Sequence, residues 1–189
     1  MLEYEIIIEN IVITGTFSEP IDLNTATTQL ENSKRNWKRF PGLIYKQKTP
    51  PATFLLFRTG KFVCTGTKTQ TRGHTAITTF LEQLKTKNLV SNNCTTTWEI
   101  KNLVATINIG GVSIALEEFI NQFESALYEQ EKFPAAVYKM EKTKATFLVF
   151  LTGKLICAGI ANEETLKQTI KTFYDQLVEK NIIEKNLTP

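Results

Sequence analysis

One histidine, three cysteines and two adjacent pairs of glutamates are the first side chains of this sequence to weigh for covalent or acid-base chemistry. His74 would serve as a general base only beside a nucleophile. Its place, in or just before a helix, makes it an exposed surface group, and no serine or cysteine with a suitable base accompanies it. Cys64, Cys94 and Cys157 are odd in number and have no close pair, which argues against a disulfide framework and against a zinc site. Cys64 and Cys157 read as buried core thiols. Glu117-Glu118 and Glu163-Glu164 are neighbours along helices, where adjacent residues do not face each other, so neither is an acid-base dyad. No Gly-rich phosphate loop is present. The expectation is a protein that is not an enzyme and uses no cofactor or metal.

The informative pattern is a repeat. ATFLLFRTGKFVCTG, Ala52 to Gly66, returns as ATFLVFLTGKLICAG, Ala145 to Gly159, 93 residues further on and with ten of fifteen positions identical. IENIVITGTF (Ile8 to Phe17) answers to IKNLVATINI (Ile100 to Ile109), and both predict strands rich in branched residues. A helical pattern follows each strand: Leu23, Ala26 and Leu30 after the N-cap Asp22, then Leu116, Phe119, Ile120 and Phe123 in the second copy. FPGLIYK and FPAAVYK, starting at Phe40 and Phe133, come before each hairpin. A longer amphipathic helix closes each copy, striped by Ile77, Phe80, Leu81 and Leu84 in the first and by Leu166, Ile170, Phe173 and Leu177 in the second. SNNCTTT, Ser91 to Thr97, is the expected junction, giving repeats over residues 1–94 and 95–189. The fold class is α+β. Short turns such as Arg58 to Lys61 predict an antiparallel sheet with helices gathered on one face, the two copies sharing it with pseudo-twofold symmetry.

Each hairpin is apolar on both faces. Thr53, Leu55 and Phe57 point one way and Phe54 and Leu56 the other, while Val63 and Thr65 oppose Phe62 and Cys64. One face packs under helices. The other would ordinarily be polar, yet it carries large apolar groups in both copies. Either a partner subunit or second layer covers it, or it is a broad, apolar, twice-repeated ligand surface.

The paired Asn strands, the F-P-x-x-x-Y-K stretches, the hairpins ending in C-x-G and the direct repeat together resemble the core domain of the TATA-box-binding protein family. The resemblance runs from about Glu5 to about Ile183. It implies a saddle built on a ten-stranded antiparallel sheet, with a concave underside on the DNA minor groove and four helices on the convex face. It implies intercalating roles for Phe40, Phe57, Phe133 and Phe150, and central hydrogen bonds from Asn10 and Asn102 joined by Thr65. Val12, Leu55, Val63, Val104, Leu148 and Ile156 would touch the groove floor, and Arg39, Lys46, Lys61, Lys139 and Lys154 the phosphates. An apolar surface with few donors suits a groove that shows only acceptors at A·T pairs and a protruding amino group at G·C pairs. The implied partners are double-stranded TATA-type promoter DNA, a B-type initiation factor contacted by Glu129 and Glu131, and, indirectly, the RNA polymerase machinery. The apolar underside also leads us to expect a homodimer in the absence of DNA.

The chain departs from the family pattern at Ala158, where a threonine matching Thr65 is usual, which predicts looser specificity near the centre. Arg35 and Trp37 replace a commoner Pro and Tyr. These departures support an alternative, a saddle-fold interaction scaffold that regulates initiation factors with weak or no specific DNA binding. The net charge of +3 divides as +5 up to Cys94, from 12 basic and 7 acidic residues, and −2 from Thr95 onward, from 10 and 12. Such a division would let the two repeats meet different partners. The acidic start MLEYEIIIEN is unlike a secretory signal, and no run of about 18 apolar residues exists, so an intracellular protein with no membrane association is expected. The compartment would be the cytoplasm or nucleoid of an archaeon, which the start of the chain so close to the matched core suits, or the nucleus of a eukaryote.

Overall fold

The structure is a computed structural model that describes residues 4–36 and 38–185. Trp37, singled out above, lies outside the described residues. Among the described residues ten strands stand in one sheet, in the order β2 (Ser33–Arg35), β3 (Leu43–Gln47), β4 (Ala52–Leu56), β5 (Lys61–Thr67), β1 (Tyr4–Phe17), β6 (Thr96–Ile109), β11 (Lys154–Ile160), β10 (Ala145–Phe150), β9 (Ala135–Met140) and β8 (Ala126–Leu127), and four helices accompany them. β7 (Val112–Ile114) and β12 (Ile183–Lys185) make a separate two-stranded sheet. No helix among the described residues is long and apolar enough to cross a membrane.

The chain divides into two compact units, Asn10–Lys101 and the described residues up to Glu9 together with those from Asn102 onward. Two 14-residue strands, β1 (Tyr4–Phe17) and β6 (Thr96–Ile109), therefore give one stretch to each unit. Both begin earlier than their apolar runs suggest. Ahead of Ile8 and Ile100 the apolar pattern is interrupted by Glu5 and Glu99, and β6 starts inside the expected junction.

In the unit Asn10–Lys101, α1 (Leu23–Gln29) starts where Asp22 accepts the Asn24 and Thr25 backbone N–H groups at 3.0 and 3.4 Å, satisfying donors that the first turn leaves free. Strands β2 (Ser33–Arg35), β3 (Leu43–Gln47), β4 (Ala52–Leu56) and β5 (Lys61–Thr67) pair antiparallel as neighbours. Helix α2 (Gln70–Thr86), capped by the Thr69 hydroxyl, lays Ile77, Phe80, Leu81 and Leu84 on the sheet. Its Phe80 ring meets Phe17, Phe54 and Tyr45 at centroid distances of 5.9, 4.3 and 4.9 Å. Large rings interlocked at this density hold the strands against the helix.

The other unit repeats this order with β7 (Val112–Ile114), α3 (Leu116–Gln122), β8 (Ala126–Leu127), β9 (Ala135–Met140), β10 (Ala145–Phe150), β11 (Lys154–Ile160) and α4 (Glu163–Glu179). Phe173 of α4 stacks on Phe147 at 4.1 Å and on Tyr138 at 5.4 Å. Asn162 caps α4, and Glu163 and Glu164 lie in its first turn, where the helix dipole favours them. Helix α3 lacks a side-chain cap. β12 (Ile183–Lys185) pairs with β7, and the neighbouring Ala115 N–H donates to the Ile182 carbonyl at 3.2 Å. Strands β2, β7, β8 and β12 have two or three residues each, too few to show an alternation in the sequence.

Candidate nucleic-acid interface

In both units the helices cover one face of the sheet. On the hairpin β4–β5, Phe54, Leu56, Phe62 and Cys64 are fully buried beneath α2, whereas Thr53, Leu55, Phe57, Val63 and Thr65 are only half-buried on the opposite face. In β10 and β11, Phe147, Val149, Leu155 and Cys157 are buried, and Thr146, Leu148, Phe150, Ile156 and Ala158 stand half-buried opposite them. Burial pushes the Cys64 and Cys157 thiols up to about 12, so both are inert core groups.

Register turns these residues into rows. Ile44, Leu55, Val63 and Thr14 are cross-strand partners in succession across four strands. Val137, Leu148, Ile156 and Thr106 form the same row in the other unit. A second row joins Lys46, Thr53 and Thr65, matched by Lys139, Thr146 and Ala158. Val12 and Val104 are half-buried on β1 and β6. The sequence reading placed Thr53 on this face without giving it a role, and it omitted Ile44, Val137, Thr14, Thr106 and Thr146. Alternation from Leu148, Val12 and Val104 would have reached Thr146, Thr14 and Thr106, while Ile44 and Val137 needed the register of neighbouring strands.

The phenylalanines form two like pairs. Phe40 and Phe57 meet edge to face with centroids 5.6 Å apart at 63°, and Phe133 and Phe150 do so at 6.2 Å and 62°. Each pair is set by a turn. Phe40 N–H donates to the Asn36 carbonyl at 2.9 Å and Phe133 N–H to the Glu129 carbonyl at 3.0 Å. Phe133 is 43% exposed, unusual for so large an apolar ring. A depression of about 880 Å³ opens beside Phe57, between Thr14, Thr16, Lys61, Val63 and Trp98.

Asn10 and Asn102 are held by a shared device that the C-x-G motif encodes. The ladder shifts register between Cys64 and Thr67 and again between Cys157 and Ile160, so that Gly66 and Gly159 occupy β-bulges at φ +90° and +100°. The freed Gly66 N–H donates to Asn10 Oδ1 at 2.8 Å, and Gly159 N–H to Asn102 Oδ1 at 2.7 Å. With each oxygen fixed, each amide nitrogen is presented as a donor. Asn10 Nδ2 also reaches Thr65 Oγ1 at 2.9 Å, for which Ala158 leaves no counterpart. The two glycines were missed as site residues although their motif was visible.

Arg39, Lys46, Lys61, Lys139 and Lys154 are exposed, and none makes an ion pair among the described residues. Glu129 pairs with Lys132, and Glu131 is exposed in the same loop. Arg35 turns to α1, where Nη1 donates to Asn24 Oδ1 at 3.1 Å. His74 is exposed on α2, its ring 5.8 Å from that of Trp98. No group of three or more His, Cys, Asp or Glu among the described residues is placed to hold a metal ion.

The family model described as "Transcription factor TFIID (or TATA-binding protein, TBP)" matches residues 5–87 and again 97–180. The chain belongs to the TATA-binding protein family. The TATA-box-binding protein of Methanothermobacter thermautotrophicus is 36% identical over 185 residues, 97% of this chain and 100% of that protein. That of Methanocaldococcus jannaschii is 33% identical over 180 residues, 95% and 97% of the two chains. A solved structure of Methanococcus jannaschii TBP matches with a TM-score of 0.84 at 32% identity, covering 93% of this chain and 99% of the other. The four helices and ten-stranded antiparallel sheet are thus those of the TATA-binding protein family, a family of transcription factors.

Proposed function

We propose that this protein is a general transcription initiation factor that binds A·T-rich, TATA-type promoter DNA in the minor groove through its uncovered sheet face. Phe40 with Phe57 and Phe133 with Phe150 insert between base steps and kink the duplex. The observation that carries this reading is the duplicated face itself: in each unit an apolar row lies with an edge-to-face pair of phenylalanines and an asparagine locked as a donor. A·T pairs present only acceptors in the minor groove, so a few fixed donors on an apolar surface favour them over G·C pairs. Unstacking a step costs a few kcal/mol, offset by the larger protein surface that bent DNA contacts. Val12, Leu55, Val63, Val104, Leu148 and Ile156 lie against the groove floor. Arg39, Lys46, Lys61, Lys139 and Lys154 neutralise phosphates and make binding salt-dependent.

The exposed Glu129 and Glu131 recruit a B-type initiation factor, which brings the polymerase machinery to the promoter. The exposed Glu129–Lys132 pair is no obstacle, since such pairs contribute at most about 1 kcal/mol.

The test is energy transfer on a short duplex carrying a TATAAA-type site, labelled at both ends, in moderate salt. Specific binding with a large bend is expected, absent from a G·C-substituted duplex. Equal affinity for both duplexes, or binding without bending, would refute the reading. Glu129→Arg with Glu131→Arg should leave the bend unchanged and abolish assembly with a B-type factor. An intact ternary complex would remove that assignment.

A further inference from the structure

The two bulge-held asparagines are not equivalent as donors. In the unit Asn10–Lys101, Asn10 Nδ2 donates to the Thr65 hydroxyl at 2.9 Å, and the same hydroxyl stands 3.1 Å from Asn10 Oδ1. One amide hydrogen is therefore engaged internally. Its neighbour is a hydroxyl, which both donates and accepts as its proton rotates. In the other unit the carboxamide oxygen is fixed in the same way by Gly159 N–H at 2.7 Å, but the cross-strand partner of Thr146 is Ala158. Asn102 Nδ2 makes no hydrogen bond among the described residues, so both of its hydrogens remain available to a ligand, and the position matching Thr65 carries a methyl group rather than a hydroxyl.

We propose that the pair Thr65 and Ala158 makes the protein read the two central halves of its DNA site with unequal stringency, and so sets the direction in which it lies on the site. This rests on the minor-groove reading above. A donor-only surface meets the guanine amino group donor against donor, leaving polar hydrogens unpaired in a dry contact. The Thr65 hydroxyl rotates and accepts from that amino group instead. A central G·C pair is thus tolerated under Thr65 and excluded under Asn102 and Ala158. Losing the second hydroxyl tightens reading in one half where the sequence alone suggested loosening.

The test uses three duplexes with an A·T-rich central site: one all A·T, one with a single G·C pair in one central half, and one with inosine·C in its place. Inosine lacks only the amino group. A dye on Glu164→Cys at the start of α4 reports which duplex end the unit containing α4 faces, because the native thiols are buried. The wild-type chain should place the Thr65 unit over the G·C half by at least about fivefold, the lower range for one base-edge group. Inosine·C should erase that bias. Ala158→Thr should bring the G·C duplex towards equal occupancy of the two orientations, and Thr65→Ala with Ala158→Thr should reverse the preference. Specific binding with no bias on the G·C duplex, a bias that survives inosine, or one that the swap leaves unchanged would overturn the proposal. Should a variant fail to fold, the inosine comparison on the wild-type chain decides alone. Failure of the minor-groove reading looks different, as no preference for the all-A·T duplex over a G·C-substituted one, and it would take this proposal with it.

Discussion

Phe54 and Phe57 are three residues apart in one hairpin and of identical chemistry, and their replacement by alanine should have opposite consequences. Phe54 is fully buried, with its ring 4.3 Å from Phe80, 6.0 Å from Phe62 and 6.4 Å from Tyr45. Truncating such a side chain costs about 3–5 kcal/mol, from the forfeited transfer energy and the cavity left behind. For a chain of this size that lowers the melting temperature by about 6–20 °C. Phe57 is half-buried on the uncovered face and has one ring neighbour among the described residues, Phe40 at 5.6 Å. Its removal forfeits an edge-to-face contact and partial burial, about 1–2 kcal/mol, or about 2–8 °C. DNA bending should follow the reverse order. Well below its melting point Phe54→Ala should bend a TATA-type duplex as the wild-type chain does, and Phe57→Ala should not. Calorimetry and end-to-end energy transfer on the same preparations give both numbers. If Phe57→Ala destabilised the protein as much as Phe54→Ala, or bent DNA normally, the division of the sheet into a structural and a ligand face would be wrong.

Gly159→Ala should destabilise more than Gly66→Ala in urea unfolding. Both leave a positive φ that costs about 1–3 kcal/mol, but only at Gly159 would the new Cβ lie 2.8 Å from a backbone oxygen, that of Lys144. Cys64 and Cys157 should resist thiol reagents in the native protein at about pH 8 and react once it is unfolded. Their folded pKa, raised from 9.0 to about 12, means that above pH 9.0 the unfolded chain sheds protons that the folded chain keeps. That contribution to stability is complete below pH 9.0 and is lost as pH rises towards 12, which unfolding midpoints at successive pH values would show. Lys61→Ala with Lys154→Ala should lower the slope of log affinity against log salt by about 0.9 for each phosphate no longer neutralised, and an unchanged slope would remove both from the interface.

The repeat made much of this legible. Once Phe54 and Leu56 are assigned to the core, alternation forces Leu55 and Phe57 to the other side, and the second copy confirms the choice at Phe147 and Leu148. Helix caps at Asp22 and Asn162 follow from residue type. What stayed hidden depends on register or on backbone geometry. Ile44 and Val137 join the apolar rows only through their strand partners, and no local pattern states that pairing. Gly66 and Gly159 look like turn residues until the ladder shows that each sits in a bulge and aims its N–H at an asparagine side chain. The β7–β12 pair escaped because three residues on either side carry no period, and because its partners come from distant parts of the chain.

The strand β1 gives Tyr4–Glu9 to one compact unit and its remainder to the other, and this has a consequence for synthesis on the ribosome. Tyr4–Glu9 emerge well before their neighbours, because the rest of their unit begins at Asn102. Asn10–Lys101 emerges with its own strands and helices complete and closes first, in keeping with N-terminal folding during translation. Until then Ile6, Ile7 and Ile8 wait as an unpaired apolar strand, the kind of segment that seeds aggregation. Glu5 and Glu9 bracket it, both exposed in the finished fold. Their charges guard a nascent chain against its neighbours for as long as the second half is still being made.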